Sequence, residues 1–185
     1  MSVMIPKQPG ARTVDKLRAI LLFEGDFNWA NKVIFADRMV KRAQRAGVIL
    51  EEQYAQHESS AIDVAFMRML HCDLLRLRRW AGGIAFVDAH NCYDRVGHRF
   101  ATLTCQAMGV GLGPIVAMFS ALSYMSFHIR TGFGDSSTTY GGSTQDPYEG
   151  LGQGNGAAPA GWLVVSSVLL IFMRNVCACT KEVSA

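Results

Sequence analysis

Phe86-Val-Asp-Ala-His-Asn-Cys-Tyr-Asp-Arg-Val96 is the stretch on which the fold turns. The apolar run Ile84 to Ala89 reads as a buried strand that delivers Asp88 to its solvent end. A carboxylate there suits a hard divalent cation, which takes oxygen ligands. A lone aspartate at a strand end usually caps a turn. Here an aromatic, Tyr93, and a second acid, Asp94, follow at close spacing, and a matching segment lies downstream. His90 and Asn91 read as loop residues between them.

The downstream segment is Gly150-Leu-Gly-Gln-Gly-Asn-Gly-Ala-Ala-Pro159. Its glycines permit close backbone approach, and Gln153 offers both a donor and an acceptor. It is not a dinucleotide fingerprint: a polar loop precedes it, and no acid stands about 20 residues on. It is not a phosphate-binding P-loop, since no Gly-Lys-Ser/Thr follows.

Around these two segments the pattern is mixed. Leu17 to Phe23 and Met125 to Thr131 read as strands. Asn28 to Arg45 has helical spacing with Trp29, Val33, Ala36, Val40 and Ala43 on one face, and Gly47 stops it. Ser59 or Ser60 caps a second helix with an apolar stripe through Ile62, Phe66, Met69, Leu70, Leu74 and Leu77. Arg76, Arg78 and Arg79 at its end compensate the helix dipole. Helices are expected over Gly97 to Met108, Pro114 to Leu122 and Pro159 to Asn175, with a long loop from Gly132 to Gly156. With no repeat and no linker, the 185 residues read as one α+β unit.

Half of the residues are hydrophobic, too many for a disordered chain. A net charge of +3 permits nucleic-acid binding without announcing it. The five cysteines, Cys72, Cys92, Cys105, Cys177 and Cys179, form no paired C-x-x-C, so free, mostly buried thiols in a reducing compartment are expected. The N-terminus has no apolar signal region. Ala160 to Met173 is short for a bilayer and reads as a core helix, so no membrane partner is expected.

In order and spacing, the two segments resemble motifs A and B of the palm of a reverse transcriptase, most closely the non-LTR (LINE-like) kind. Asp94, Arg95, Val96 and His98 extend motif A; Gly150, Gly152, Gln153, Gly154 and Pro159 fit motif B, with Ala158 where the family has serine. Pro6-Lys7-Gln-Pro-Gly10 and Leu17-Arg18-Ala-Ile20 are similar to the fingers hairpin, with Ala19 in place of a proline. Asn31-Lys32 and Gln53-Tyr54-Ala55 fit further fingers segments. The resemblance implies a right-hand polymerase: a small antiparallel sheet with packed helices, fingers over about 1–82 and partial palm over 83–175, thumb absent.

It also implies roles. Asp88, with the Ala89 carbonyl, would hold two Mg²⁺ or Mn²⁺ ions in a complete enzyme. Lys7 and Arg18 would clamp the triphosphate, Tyr93 would screen the sugar, and Gln153 with Gly154 would position the base pair. Gln53, Tyr54 and Gly152 would lie near the template. The implied partners are an RNA template, a DNA primer and a deoxynucleoside triphosphate. The aromatic-small-Asp-Asp segment of motif C has no counterpart, and after Pro159 the only acid is Glu182. The chain alone is therefore expected to lack polymerase activity, and an uncovered palm is expected to self-associate. The alternative is a non-catalytic nucleic-acid-binding remnant whose RNA binding ignores Mg²⁺ and Asp88.

Overall fold

In the computed structural model, residues 1–10, 13, 16–55, 59–84 and 88–176 are described. The chain opens with a hairpin. β1 (Ser2–Pro6) pairs antiparallel with β2 (Leu17–Leu21), Ser2 opposite Leu21 and Pro6 opposite Leu17. A continuous helical rod follows: α1 (Gly25–Asn31), a π-helical segment (Lys32–Met39) and α2 (Val40–Arg45). Gly47, at φ 64°, ends it where the sequence predicts.

The buried face of this rod overlaps the expected one in part: Ala43 is buried and Ala36 and Val40 pack half-buried against the core, but the centre of the face lies elsewhere. Asn31, Phe35, Met39 and Ala43 are buried, while Trp29 is exposed. On an α-helix a step of four residues drifts by about 40° per turn. The wider π turn removes most of that drift, so the four stay in line against the core. A strict 3.6-residue reading therefore selects a face displaced from the buried one, sharing Ala43 with it.

α3 (Ala61–Arg78) starts at Ser60, as expected. The Asp63 backbone N–H donates to Ser60 Oγ (3.3 Å), and the Ser60 N–H donates back to Asp63 Oδ2 (2.7 Å). The Ser60 hydroxyl and N–H hold the Asp63 carboxyl below its ordinary pKa. The apolar stripe is present, but none of the described residues buries it: α3 has no buried residue, and Leu77 is 83% exposed.

The second half adds α4 (His98–Ala107), α5 (Leu112–Tyr124), β3 (Ser126–Thr131), β4 (Gly134–Gly141) and α6 (Ala158–Val176). β4 is a correction, since that stretch was expected to be loop. Its Thr138, Thr139 and Tyr140 favour extended backbone, and it pairs antiparallel with β3, Phe127 opposite Tyr140. The sheet order is β2-β1-β3-β4. The sheet is mixed, not antiparallel as expected, because β1 and β3 run parallel (Ser2 opposite Ile129). Two hairpins separated by a long helical crossover meet in this way without reversing either. Of the strand expected at 84–89, Ala85, Phe86 and Val87 lie outside the described residues, as do Cys177, Cys179 and Glu182.

The core lies between the 25–45 rod, α4, α5 and the first half of α6, with Phe35, Ile115, Leu122 and Val164 almost wholly enclosed. Phe127 joins the sheet to it through ring contacts with Phe23, Tyr140 and Tyr148. By length and composition α6 could cross a membrane. Its first half, including Ala160, Leu163, Val164 and Ser167, is built into the core, and its far end is exposed from Ile171 to Val176.

Cys72, Cys92 and Cys105 are free thiols. Burial pushes the Cys105 thiol up to about 12, leaving little thiolate at neutral pH. In the native chain iodoacetamide is expected to label Cys92 and spare Cys105, with peptide mass mapping as the check. Equal labelling of both would contradict the packing of α4.

Candidate functional site

The β1–β2 hairpin sets two cations side by side. Ile5 pairs with Arg18, and the Lys7 N–H donates to the Lys16 carbonyl (2.9 Å). Lys7 and Arg18 are thus diagonal neighbours on one face. Facing them is the turn that follows Asp88. Asn91 adopts a left-handed conformation (φ 51°), and a 3₁₀ turn, Cys92–Arg95, brings the chain back. Together they enclose a cleft of about 590 Å³, lined by Lys7, Arg18, Asp88, Ala89, Tyr93, Asp94 and Gln153, among others.

These residues come from three segments far apart in sequence, and backbone hydrogen bonds hold them together. The Leu151 N–H donates to the Tyr93 carbonyl (2.7 Å), and the Gly150 N–H donates to the Val96 carbonyl (3.1 Å). The Leu21 N–H, at the end of β2, donates to the Gln153 carbonyl (2.7 Å). The glycine loop is therefore the clip between the hairpin and the Asp88 turn. A Cβ on Gly150 would stand 2.8 Å from Asp94 Cα, at a φ of 95° that side chains rarely adopt.

His98 secures the clip from behind. It is buried, and its Nε2 lies 2.6 Å from the Gly150 carbonyl. A carbonyl only accepts, so Nε2 donates to it, and Nδ1 pairs with the Ser123 hydroxyl (3.0 Å). The His98 backbone N–H donates to Glu149 Oε2 (2.8 Å), and the ring packs on Phe119.

Three asparagines fix the other side of the loop. Buried Asn155 donates through Nδ2 to the Leu151 carbonyl (3.0 Å). Its Oδ1 accepts from Asn31 Nδ2 (3.1 Å) and from the Ala157 N–H (3.1 Å). Asn28 Oδ1 accepts the Gly156 N–H (2.5 Å). The sequence reading assigned no such role to Asn28 or Asn155. Their only signal was one asparagine inside the glycine loop and two more at helical spacing on α1.

The cleft juxtaposes opposite charges. Asp94 has its carboxyl pKa raised by desolvation among the cleft walls, against the opposing pull of the Lys7 ammonium. Burial, and then the neighbouring Cys92, raise the Tyr93 phenol. Tyr148 is pushed up to about 12 by burial, with Asp94 and Tyr140 adding to the shift. Among the described residues no three or more His, Cys, Asp or Glu side chains gather as a metal cage. The Asp88 carboxylate and Ala89 carbonyl are nonetheless hard oxygen donors of the kind that suits Mg²⁺.

The other expected contacts lie elsewhere. Gly152 and Gly154 do not line the cleft; their close approach is to Phe23 and to the Leu21 backbone. Gln53 is buried, its Nε2 donating to Ser166 Oγ (2.9 Å) and the Leu163 carbonyl (3.4 Å), so its amide is committed to α6. Tyr54 is half-buried beside it, away from the cleft lining.

Comparisons with family models, with curated proteins and with solved structures each return no match for this chain.

Proposed function

We propose that the cleft is the nucleoside triphosphate site of an RNA-directed DNA polymerase of the non-LTR retroelement type, formed by its fingers and the first part of its palm. The observation that carries this is convergence: Lys7 and Arg18, Asp88 and Tyr93, and Gln153 line one cleft although they come from three distant segments. The family resemblance assigns Lys7 and Arg18 to the triphosphate, Asp88 to its metal ions, Tyr93 to the sugar and Gln153 to the base pair.

In this reading the Arg18 fork and the Lys7 ammonium hold the triphosphate oxygens. The Asp88 carboxylate and Ala89 carbonyl hold Mg²⁺ or Mn²⁺, which when bound neutralises phosphate charge and lowers the pKa of the primer 3′-hydroxyl. That hydroxyl attacks the α-phosphorus, the new phosphodiester bond forms, and pyrophosphate leaves. Tyr93 lies against the sugar and excludes a 2′-hydroxyl, while Gln153 meets the base pair formed with an RNA template. These residues make one side of the centre, and further carboxylates complete it in a whole enzyme. The open apolar faces of α3 and the end of α6 are consistent with additional palm elements, or a second chain, packing there.

Tyr93 provides the test. Wild-type chain with Mg²⁺ is expected to bind a deoxynucleoside triphosphate at least about tenfold more tightly than the ribonucleotide, a difference of about 1.4 kcal/mol. Tyr93→Ala should bring the ratio close to one. Wild-type chain that does not discriminate, or a ratio unchanged in Tyr93→Ala, would remove the sugar-screening role.

A further inference from the structure

Away from the cleft, Arg38, Lys41, Arg42 and Arg45 occupy successive turns of the 25–45 rod and line, with Asp37, a groove of about 410 Å³. Their i, i+3, i+4 and i+7 spacing keeps them on one exposed face, next to the face that buries Phe35, Met39 and Ala43. Among the described residues the ion pairs are Asp73–Arg76, Asp135–Arg130 and Glu52–Arg174, so none of the four cations is held in one, and Asp37 in the lining offsets one of their four charges. Arg42 is also held in place: its Nη1 donates to the Gly109 carbonyl (3.3 Å). Its guanidinium lies where a Cβ on Gly109 would fall, 3.0 Å from Arg42 Cζ.

We infer that this stripe is a second nucleic-acid contact, a track for the phosphodiester backbone of a single strand, independent of the reading of the cleft. Three of the four cations are arginines, whose planar forks match phosphate oxygens. Like charges at this spacing repel one another, and a polyanion relieves that repulsion. No aromatic side chain lines the groove, so bases have nothing to stack on, and contact with the backbone without sequence preference is the outcome. A protein partner would ordinarily be anchored by buried aromatic residues, and a membrane surface would need apolar side chains interleaved with the cations. The groove has neither.

The test is fluorescence anisotropy with a labelled 20-nucleotide RNA of mixed sequence, titrated between about 50 and 200 mM salt. Arg38→Gln/Lys41→Gln/Arg42→Gln/Arg45→Gln is expected to bind at least about 30-fold more weakly than wild type at low salt. Its slope of log affinity against log salt should be shallower by roughly 2 to 3, about 0.7 for each lost phosphate contact on a single strand. Arg38→Lys/Arg42→Lys/Arg45→Lys, which keeps the charge, should stay within about threefold of wild type. If the fourfold variant does not fold by circular dichroism, Lys41→Gln/Arg45→Gln gives the same reading with about half the change in slope. Unchanged affinity and slope in the Gln variants would overturn the inference. So would stripe-dependent binding to anionic vesicles or a poly-glutamate peptide that exceeds binding to RNA.

Discussion

Gly154→Ala is expected to destabilise the folded chain by on the order of 4 kcal/mol, lowering the melting temperature by roughly 8–16 °C. Gly154 has φ 119°, and a Cβ there would stand less than 2.5 Å from the Leu21 carbonyl oxygen. That neighbour is backbone, so no rotamer change relieves the clash. The loop must retreat from β2, and the bond from the Leu21 N–H to the Gln153 carbonyl goes with it. Strain in this conformation costs about 1–3 kcal/mol and the lost buried bond about 1 more. Because Gln153 lines the cleft, nucleotide binding should fall as well. Gly113→Ala is the control: it sits in α5 with nothing within 4 Å of the added carbon. It should be neutral or stabilise by up to about 1 kcal/mol. Thermal denaturation of both variants is the check, and equal melting temperatures would mean that the loop does not clip the two halves.

His98→Ala is the second large effect, at about 3 kcal/mol in urea unfolding. The substitution leaves the buried Gly150 carbonyl without its donor, which costs about 1–3 kcal/mol, and opens a void beside Phe119. His98→Gln can still donate to Gly150 and should recover part of the loss. His98 acts through Gly150 and touches no substrate in the proposed site, so its variant should weaken nucleotide binding by loosening the loop. A loss below about 1 kcal/mol, with nucleotide affinity unchanged, would mean that the Asp88 turn and the glycine loop hold together without it.

The residues that line the cleft could be named from sequence because the family resemblance rests on short, local segments. Asp88 and Tyr93 share one turn, Lys7 and Arg18 share one hairpin, and Gln153 stands among glycines whose only sequence-level purpose is close approach. The ties behind the cleft were harder to read. Asn155 and His98 are polar residues that make sense only once their partners arrive from α1, α5 and the 149–151 loop. β4 was read as loop because its Gly134-Asp-Ser-Ser-Thr-Thr-Tyr-Gly141 run is almost wholly exposed and shows no apolar alternation. The mixed character of the sheet depends on a pairing between β1 and β3 that no local pattern encodes. The face of the 25–45 rod was legible only in part, at Ala36, Val40 and Ala43, because the sequence does not mark where the helix widens.

The most direct test of the proposed triphosphate site is a calorimetric titration with a deoxynucleoside triphosphate, with and without Mg²⁺, of wild-type chain, Arg18→Gln and Asp88→Asn. Both substituted residues line the cleft, and Asp88 is exposed, so neither change should unfold the chain. Saturable binding is expected for wild type, strengthened by Mg²⁺. Arg18→Gln should weaken it at least about tenfold, or 1.4 kcal/mol, and Asp88→Asn should abolish the Mg²⁺ dependence. Absence of binding in wild type, or the same affinity and the same Mg²⁺ response in all three proteins, would contradict the assignment of the cleft.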